Sequence, residues 1–397
     1  MIENIVWQRV KGILYFVTGM KILHVIPYLG CGGAEILLSR IALHQIKKGH
    51  EVEIVTLHPP HETYEHFPDR ETFEEQIPIN RTSSRVKLLK SSQKKELLGE
   101  WKKILDRFQP EVIHAHLYEA DVLAHSILFP GISYITHIHG PLFPLEKKKH
   151  FPFSKKEIYE LIEKKWLHRQ YDKSNTKFIA ISSSMAEYGR SLVPISLHNN
   201  IRIIHNGIET DRFEFRKRKI SFPVRLITVG NLVKKKNHDF LIRVTNELHR
   251  IKIDVELDIL GSGPEEKKIG ELISSFHLES KIHLRGSVGN VQDYLLNAHL
   301  YLHAAIPEPF GLAILEAMAT GLPVVTLDGG GNKDFVRDGE NGFLVGEKNV
   351  TTFAARVATL ISDHQLYTSM STAARNTSLE FDFGNFTNKI LNFYSVH

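Results

Sequence analysis

Short apolar runs alternate with longer segments of helical periodicity along this chain, and the alternation starts twice. In the first half, apolar runs occur at 21–26, 52–57, 112–115, 134–138, 178–181 and 201–204. After residue 222 the pattern restarts, with runs at 225–229, 255–260, 282–284, 300–303, 324–327 and 343–345. Continuous apolar strands separated by helices are typical of parallel sheets that helices cover on both faces. The sequence therefore predicts an α/β chain with two doubly wound, Rossmann-like domains.

The predicted division of the 397 residues follows from this restart. Residues 1–19 are expected to form an N-terminal extension, either an appended helix or an over-extended start. The first domain covers 20–205, a charged linker covers 206–222, and the second domain covers 223–375. Residues 376–397 are expected to form a helix that returns to the first domain. Ligands of such folds bind at the carboxyl ends of the strands, so we expect both domains to face a central ligand-binding cleft.

Composition and motif searches exclude several classes of protein. The formal net charge of +5 lacks the dense basicity of a nucleic-acid-binding protein, so no nucleic-acid partner is expected. Cys31 is the only cysteine, which excludes an intramolecular disulfide and indicates a reducing, cytoplasmic compartment. No apolar run reaches the length of a membrane span. The spacings of a P-loop, a nucleophile elbow and an H-E-x-x-H zinc site are not found.

The segment 307–325 contains two acids, Glu308 and Glu316, with seven residues between them. Prolines and a glycine prevent a helix before Leu312, and Gly321 caps the helix at its other end. The helix is almost wholly apolar, so Glu316 is expected in the core, where its carboxylate needs a hydrogen-bonding partner. Its start at Gly311 and Leu312 offers N–H groups and the positive end of a dipole to an anion. A nucleotide suits both features, with phosphates at the helix start and ribose hydroxyls deeper in.

Two loops that follow the first strand of each half offer further phosphate contacts. Gly32 and Gly33 lie between a strand and a helix, where glycine lets the backbone approach a phosphate closely. Asn231, Lys235 and Lys236 lie in the equivalent loop of the second half, and its lysines can neutralise a diphosphate. A tight turn and a solvated basic loop are the alternative interpretations.

Two H-x-H pairs, His114 with His116 and His137 with His139, stand at predicted strand ends. Alternation along a strand places both members of each pair on one face. Such pairs bind metals in some hydrolases, but the sequence pattern offers no third set of ligands. We therefore expect no metal site and interpret one strand-end histidine as a substrate contact.

Lysine-rich segments with interspersed apolar and aromatic side chains cover 85–107 and 147–177. Examples are Lys147-Lys-Lys149 with Phe151 and Phe153, and Trp101-Lys-Lys103. Such a surface can lie on anionic lipid, which would make the protein peripheral at the inner face of a membrane. A solvated helix face is the other interpretation.

Taken in order, these motifs resemble the retaining glycosyltransferases of family 4, which have the GT-B fold. The matching segments run from about residue 20 to 345 and are 32–35, 49–52, 206–209 with Phe213, 261–264, 308–316, 321–325, 329–331 and 338–345. The resemblance implies transfer of a hexosyl or N-acetylhexosaminyl unit from a UDP- or GDP-sugar to a glycan or lipid-linked acceptor. It implies retention of the anomeric configuration, polysaccharide or glycolipid biosynthesis, and neither a cofactor nor a metal.

The resemblance also implies how the second half holds its donor. Glu316 would bind the ribose hydroxyls, and Glu308 would bind hydroxyls of the transferred sugar. The backbone amides of Phe310, Gly311 and Leu312 would lie close to the donor.

Catalytic roles are likewise implied for His139, Lys236 and Glu308, because Lys236 aligns with the family's phosphate-binding lysine and His139 with a histidine near the reacting sugar. The chain departs from the family at Asn231, where an arginine is usual and where a neighbouring lysine would have to supply the charge. Pro309 replaces the more common glycine of the turn, and the acid after the glycines is Asp334.

Other functions fit the same architecture. A nucleotide-sugar epimerase would convert the donor without an acceptor, whereas a non-catalytic binder would neither transfer nor hydrolyse it. A metal hydrolase built on the H-x-H pairs is a third alternative. The sequence does not identify the sugar, the base, the acceptor or the oligomeric state.

Overall fold

The chain is described here from a computed structural model, which covers residues 5–10, 13–61, 64–65, 67, 70–82, 91–140 and 155–395. It divides into two compact units. The first comprises Met1–Ile181, Met185–Ile204 and Thr387–His397, and the second comprises Ser182–Ser184 and His205–Phe386. Residues 206–222, which the sequence analysis set apart as a linker, thus belong to the second unit.

An antiparallel hairpin precedes the first sheet. Its strands are β1, Ile5–Val10, and β2, Ile13–Thr18, and Ile5 lies opposite Thr18. The expectation of a helix here is wrong. Both runs are rich in β-branched and aromatic residues, which favour strands over a helix.

The first unit contains a seven-stranded sheet, and each neighbouring pair of its strands is parallel. The strands are β3 (Lys21–Ile26), β4 (Glu51–Thr56), β5 (Ile79–Arg81), β6 (Val112–His116), β7 (Ser133–Ile138), β8 (Lys177–Ala180) and β9 (Ile201–Ile203). The helices are α1 (Gly33–Lys47), α2 (Arg70–Gln76), α3 (Ser91–Phe108), α4 (Tyr118–Ala124), α5 (Lys155–Ser174) and α6 (Ser183–Leu192). The strand order is β5-β4-β3-β6-β7-β8-β9, so the direction of winding reverses between β3 and β6.

The second unit contains a six-stranded parallel sheet. Its strands are β10 (Val224–Val229), β11 (Val255–Leu260), β12 (Ile282–Gly286), β13 (Leu300–His303), β14 (Val324–Leu327) and β15 (Gly342–Val345). Its helices are α7 (His238–Arg250), α8 (Glu266–Ser275), α9 (Val291–Asn297), α10 (Leu312–Ala319), α11 (Val350–Ser362) and α12 (His364–Glu380). The order is β12-β11-β10-β13-β14-β15, so the winding reverses between β10 and β13.

Strand burial in the first unit explains its parallel sheet. Five of the six residues of β3 are buried, as are five of the six of β4, which is the pattern of strands covered on both faces. In each unit the crevice at the carboxyl ends of the two strands where the winding reverses is where ligands of such folds bind. Ligand-binding residues are therefore expected in the loops that follow β3, β6, β10 and β13.

Helix α10 has the predicted bounds. Gly311 precedes it with φ 105°, and Gly321 follows it with φ 80°, conformations that glycine adopts without strain. Its apolar residues from Ile314 onward are buried, but Glu316 is half-buried rather than enclosed. The carboxylate thus keeps access to solvent or a ligand.

A last helix, α13 (Phe383–Ser395), starts in the second unit and continues into the first from Thr387. Tyr394 near its end is buried, and its hydroxyl lies 2.6 Å from His114 Nδ1 on β6. Within the described ranges, no helix is both long enough and apolar enough to cross a membrane.

Candidate active site

Glu308 lies on the loop between β13 and α10, and a short parallel bridge holds this loop. The Glu308 N–H donates to the Gly329 carbonyl at 2.8 Å, and the Gly331 N–H donates to the Glu308 carbonyl at 2.9 Å. A Cβ on Gly331 would stand 1.9 Å from the Pro309 carbonyl oxygen, and one on Gly329 would stand 2.5 Å from Glu308 Cβ. The glycines at 329 and 331 therefore permit the approach that fixes the position of Glu308.

The Glu308 carboxylate is buried and is held by two cationic or polar donors. Lys236 Nζ lies 2.7 Å from Glu308 Oε2, and His303 Nε2 lies 2.9 Å from the same oxygen. Burial opposes ionisation, but the hydrogen bond from His303 and the Lys236 ammonium outweigh it and hold the pKa of Glu308 well below its usual range. Among the described residues, no hydrogen bond to Glu308 Oε1 is found. The carboxylate is therefore ionised, rigidly placed and able to accept from a ligand hydroxyl.

The loop that follows β10 brings Lys236 to this position. Residues Lys234–Lys236 form a single 3₁₀ turn, and Asn237 follows with φ 52°. The Asn237 side chain donates to the Ala304 carbonyl at 2.9 Å, and the Ile306 N–H donates to the Lys235 carbonyl at 3.0 Å. These bonds tie the lysine loop to the loop after β13, so the ammonium and the carboxylate meet at the reversal point of the sheet.

The other residues predicted in the lysine loop are placed differently from Lys236. The Lys235 and Asn231 side chains are exposed, and the Asn231 carbonyl accepts from His238 Nε2 at 3.3 Å. The glycine turn after β11 supports this loop, because a Cβ on Gly261 would stand 2.2 Å from the Gly230 carbonyl oxygen.

Phe310 is buried, and its ring packs against three aromatic neighbours. Its ring centroid lies 5.8 Å from that of His205, 5.2 Å from that of Phe335 and 6.0 Å from that of Phe381. Only its backbone is therefore available to a ligand. Asp334 fixes the same region, since its Oδ2 accepts from the Ser183 N–H at 2.6 Å and lies 2.9 Å from His205 Nε2.

Glu316 lies near the buried Tyr301. Burial raises the pKa of Tyr301, and the charges of Glu308 and Glu316 raise it further. Leu312 at the start of α10 is half-buried, and Gly311 precedes it. The residues predicted to bind the donor in the second half therefore share one edge of one sheet.

The remaining predicted residues belong to the first unit. Gly32 precedes α1, and a Cβ there would stand 2.0 Å from Glu35 Oε2, whereas a Cβ on Gly33 would meet nothing within 4 Å. Burial raises the pKa of the Glu35 carboxyl. The absence of a side chain at Gly32 thus makes room for the Glu35 carboxylate.

His139 follows β7 and is half-buried, with its Nε2 2.9 Å from His116 Nδ1. Burial lowers the pKa of His139 to about 3 and that of His24 to about 4. Burial also lowers the pKa of His114, His116 and His137 well below the ordinary histidine value. The five imidazoles are neutral at physiological pH.

Two histidines that contact the residues described above were not predicted from the sequence. His303 ends the apolar strand β13 and contacts Glu308, and His24 lies inside the apolar strand β3 and contacts His116. Each is a polar residue in an otherwise apolar run, which is a signal that could have singled them out.

The lysine-rich surface is only partly as predicted. Trp101 is fully buried, so it contributes to the core rather than to a surface. Lys147-Lys-Lys149, Phe151 and Phe153 lie outside the described residues. On α5, however, Ile158, Leu161 and Ile162 are 47%, 41% and 48% exposed.

Comparison with known proteins assigns both halves of the chain. A family model described as Glycosyltransferase Family 4 matches residues 31–212, and one described as Glycosyl transferases group 1 matches residues 210–377. The chain belongs to the family 4 glycosyltransferases, and its two parallel-sheet units have the GT-B fold.

Individual relatives agree with this assignment. The chain is 33% identical over 165 residues to the GtfA subunit of a UDP-N-acetylglucosamine–peptide N-acetylglucosaminyltransferase from Streptococcus pneumoniae, a match that covers 40% of this chain and only 32% of that protein. It is 22% identical over 366 residues to the N-acetyl-alpha-D-glucosaminyl L-malate synthase of Bacillus anthracis, covering 89% of this chain and 91% of that protein. The crystal structure of Anabaena HepE in complex with UDP and glucose has a TM-score of 0.75 at 20% identity and covers 95% of this chain and 100% of that one.

Proposed function

We propose that this protein transfers a hexosyl or N-acetylhexosaminyl unit from a UDP- or GDP-sugar to a glycan or lipid-linked acceptor, with retention of the anomeric configuration. The observation that carries the proposal is the group formed by Lys236, His303 and Glu308 beside the start of α10. An ammonium, a fixed carboxylate and a helix N-terminus at one sheet edge match a diphosphate that carries a sugar. UDP in the Anabaena HepE structure, a protein of the same fold, supports this choice of donor.

In the proposed reaction, the bond between the anomeric carbon and the β-phosphate oxygen breaks while the acceptor oxygen bonds to the same face of that carbon. The acceptor proton passes to the departing phosphate oxygen. Lys236 and the amides at the start of α10 would stabilise the charge that develops on the diphosphate. Because protein cations supply this charge, the transfer is proposed to need no divalent metal at the diphosphate.

Glu308 is proposed to position the sugar rather than to attack it. Its Oε2 is already engaged by Lys236 and His303, which leaves Oε1 for a sugar hydroxyl. Glu316 is proposed to accept from the ribose hydroxyls, since it is half-buried one turn deeper on α10. His139 is proposed to lie near the reacting sugar, as the family resemblance implies.

A donor panel tests this function. UDP-glucose, UDP-N-acetylglucosamine, UDP-galactose and GDP-mannose are screened by thermal shift, and the binders are then incubated with and without candidate acceptors. Transfer that requires an acceptor and gives a product with the donor's anomeric configuration supports the proposal. Conversion of the donor alone would identify an epimerase, binding without any conversion a binding protein, and no binding at all would refute the proposal.

We also propose that α5 contacts an anionic membrane. Ile158, Leu161 and Ile162 form an exposed apolar patch, and Lys165 and Arg169 are exposed on the same helix. An apolar patch flanked by basic residues is the composition of an interfacial helix.

Flotation with vesicles that contain anionic lipid measures this contact. We expect salt-sensitive binding that Leu161→Glu reduces. Ile195→Glu is the matched control, because Ile195 is an exposed apolar residue of the same unit outside α5. Equal binding by both variants, or none by the wild type, would contradict the membrane proposal.

A further inference from the structure

Five histidine rings surround the reversal point of the first sheet. His24 lies on β3, His114 and His116 lie on β6, and His137 and His139 lie on or directly after β7. Strand register explains the grouping, because His24 pairs with His114 and His116 pairs with His137. The rings of His24, His114, His116 and His137 are fully buried.

Three of these residues have the spacing of a metal site. His24, His114 and His116 each offer a ring nitrogen, and the three nitrogens lie within 4.8 Å of one another. His24 Nδ1 and His116 Nε2 are 3.1 Å apart. Two imidazole nitrogens bound to one tetrahedral Zn²⁺ are about 3.3 Å apart, given Zn–N bonds of about 2.0–2.1 Å. His114 Nε2 is buried and has no hydrogen-bond partner among the residues that the structure describes.

The second ring nitrogen of each candidate ligand is held by a neighbour. His24 Nε2 lies 2.8 Å from Gln45 Oε1, and His114 Nδ1 lies 2.6 Å from the Tyr394 hydroxyl. His116 Nδ1 lies 2.9 Å from His139 Nε2. Metal-binding histidines almost always make such an outer hydrogen bond, which fixes the ring and the tautomer.

Gln45 sets the tautomer of His24. In the structure its carbonyl oxygen faces His24, and its amide nitrogen donates to the Tyr394 hydroxyl at 3.2 Å. A carbonyl oxygen only accepts, so Nε2 of His24 carries the proton and Nδ1 presents its lone pair toward His116.

A second set, His116 with His137 and His139, also has suitable spacing. Within the described ranges, His137 makes no hydrogen bond at either ring nitrogen, so stacking on His114 and His139 positions its ring without an outer hydrogen bond. The first set is therefore the better built of the two.

We propose that His24, His114 and His116 form a three-histidine site for a divalent transition metal, with Zn²⁺ the best match. Imidazole ligands suit Zn²⁺ and its neighbours, whereas Mg²⁺ and Ca²⁺ require oxygen ligands. The metal joins β3 to β6 and, through Tyr394, joins α13 to the sheet. The site belongs to the first unit and does not include Lys236 or Glu308, but its ligand His116 contacts His139, which is proposed to lie near the reacting sugar.

Zinc binding to the untagged full-length chain, stripped with a chelator beforehand, tests the proposal. Competition with a chromophoric chelator gives the stoichiometry and the affinity, and Co²⁺ substitution reports tetrahedral coordination through its visible spectrum. We expect one tightly bound Zn²⁺ per chain, and we expect His24→Gln combined with His114→Gln to abolish it.

Conservative variants keep the test decisive if the double variant does not fold. Tyr394→Phe removes only the hydroxyl that holds His114, and we expect the affinity for Zn²⁺ to fall about 10–100-fold. Tyr134→Phe is the matched control, because it removes another buried hydroxyl of the same unit, one that accepts from the Phe129 N–H. The proposal is overturned if the wild type binds no more zinc than the double variant, or if the two tyrosine variants bind zinc equally.

Discussion

Lys236→Met is the most informative single change, because it removes the ammonium and keeps the apolar stem. In the free protein the variant leaves the buried Glu308 carboxylate with His303 as its remaining donor. A hydrogen bond to a charged group contributes about 1.5–3 kcal/mol. The Lys236 side chain is 24% exposed, and that of Glu308 is 8% exposed, so we expect a loss near the middle of this range, about 2 kcal/mol.

The same variant should affect catalysis more strongly than stability. If Lys236 stabilises the departing diphosphate, its loss resembles the removal of one oxyanion-hole donor, which lowers kcat about 10²–10³-fold, or about 2.7–4 kcal/mol. Lys234→Met is the matched control, because Lys234 is exposed on the same 3₁₀ turn. We expect the control to change either quantity by no more than about 0.5 kcal/mol.

Single-turnover kinetics and hydrogen exchange provide the measurements. Trp7, Trp101 and Trp166 all belong to the first unit, so tryptophan fluorescence does not report on the second. Exchange of the β10 and β13 amides reports the stability of the second unit directly. The reasoning is refuted if Lys236→Met and Lys234→Met give the same kcat, or if Lys236→Met and Glu308→Gln destabilise additively, because a paired ammonium and carboxylate must show a coupling energy.

Three further variants separate the roles of the donor-site residues. Glu316→Ala should weaken UDP binding about 10–100-fold, since it removes a charged acceptor worth about 1.5–3 kcal/mol, and calorimetry that shows unchanged affinity would remove the ribose assignment. Glu308→Gln should leave UDP affinity equal or higher, because it removes a negative charge beside the diphosphate. Turnover should fall. A loss of UDP binding would instead indicate that Glu308 contacts the nucleotide. Gly331→Ala should destabilise the second unit by about 1–3 kcal/mol, because its methyl meets the Pro309 carbonyl, whereas Gly346→Ala, with nothing within 4 Å, should be neutral in thermal unfolding.

The alternation of apolar runs was sufficient to predict the two parallel sheets, because a strand covered on both faces must be apolar throughout its length. It was insufficient at the N-terminus, where β1 and β2 are a hairpin and not a helix. Short mixed runs there carry no clear period, and their β-branched and aromatic residues were the better guide.

The prolines, glycines and apolar run of segment 307–325 predicted the position of α10 but not the contacts of Glu308 and Glu316. That Lys236 reaches Glu308 depends on the reversal of strand order, which places the ends of β10 and β13 side by side. Local sequence does not encode that adjacency. The histidine cluster could not be predicted for the same reason. His24 is some 90 positions from His114 in the sequence, but the two residues pair on neighbouring strands.

In the metal-free protein, the histidine cluster makes the stability of the first unit depend on pH. Burial lowers the pKa of His24 from 6.5 to about 4, so between these values the unfolded chain holds a proton that the folded chain does not. Unfolding then takes up protons, and each such histidine removes about 1.4 kcal/mol of stability for every pH unit below 6.5 until its folded pKa is reached. Burial also lowers the pKa of His114, His116 and His137, so these three histidines destabilise the folded state in acid in the same direction. The first unit is therefore expected to unfold steeply in mild acid, as a cooperative proton-uptake transition that its own fluorescence can follow.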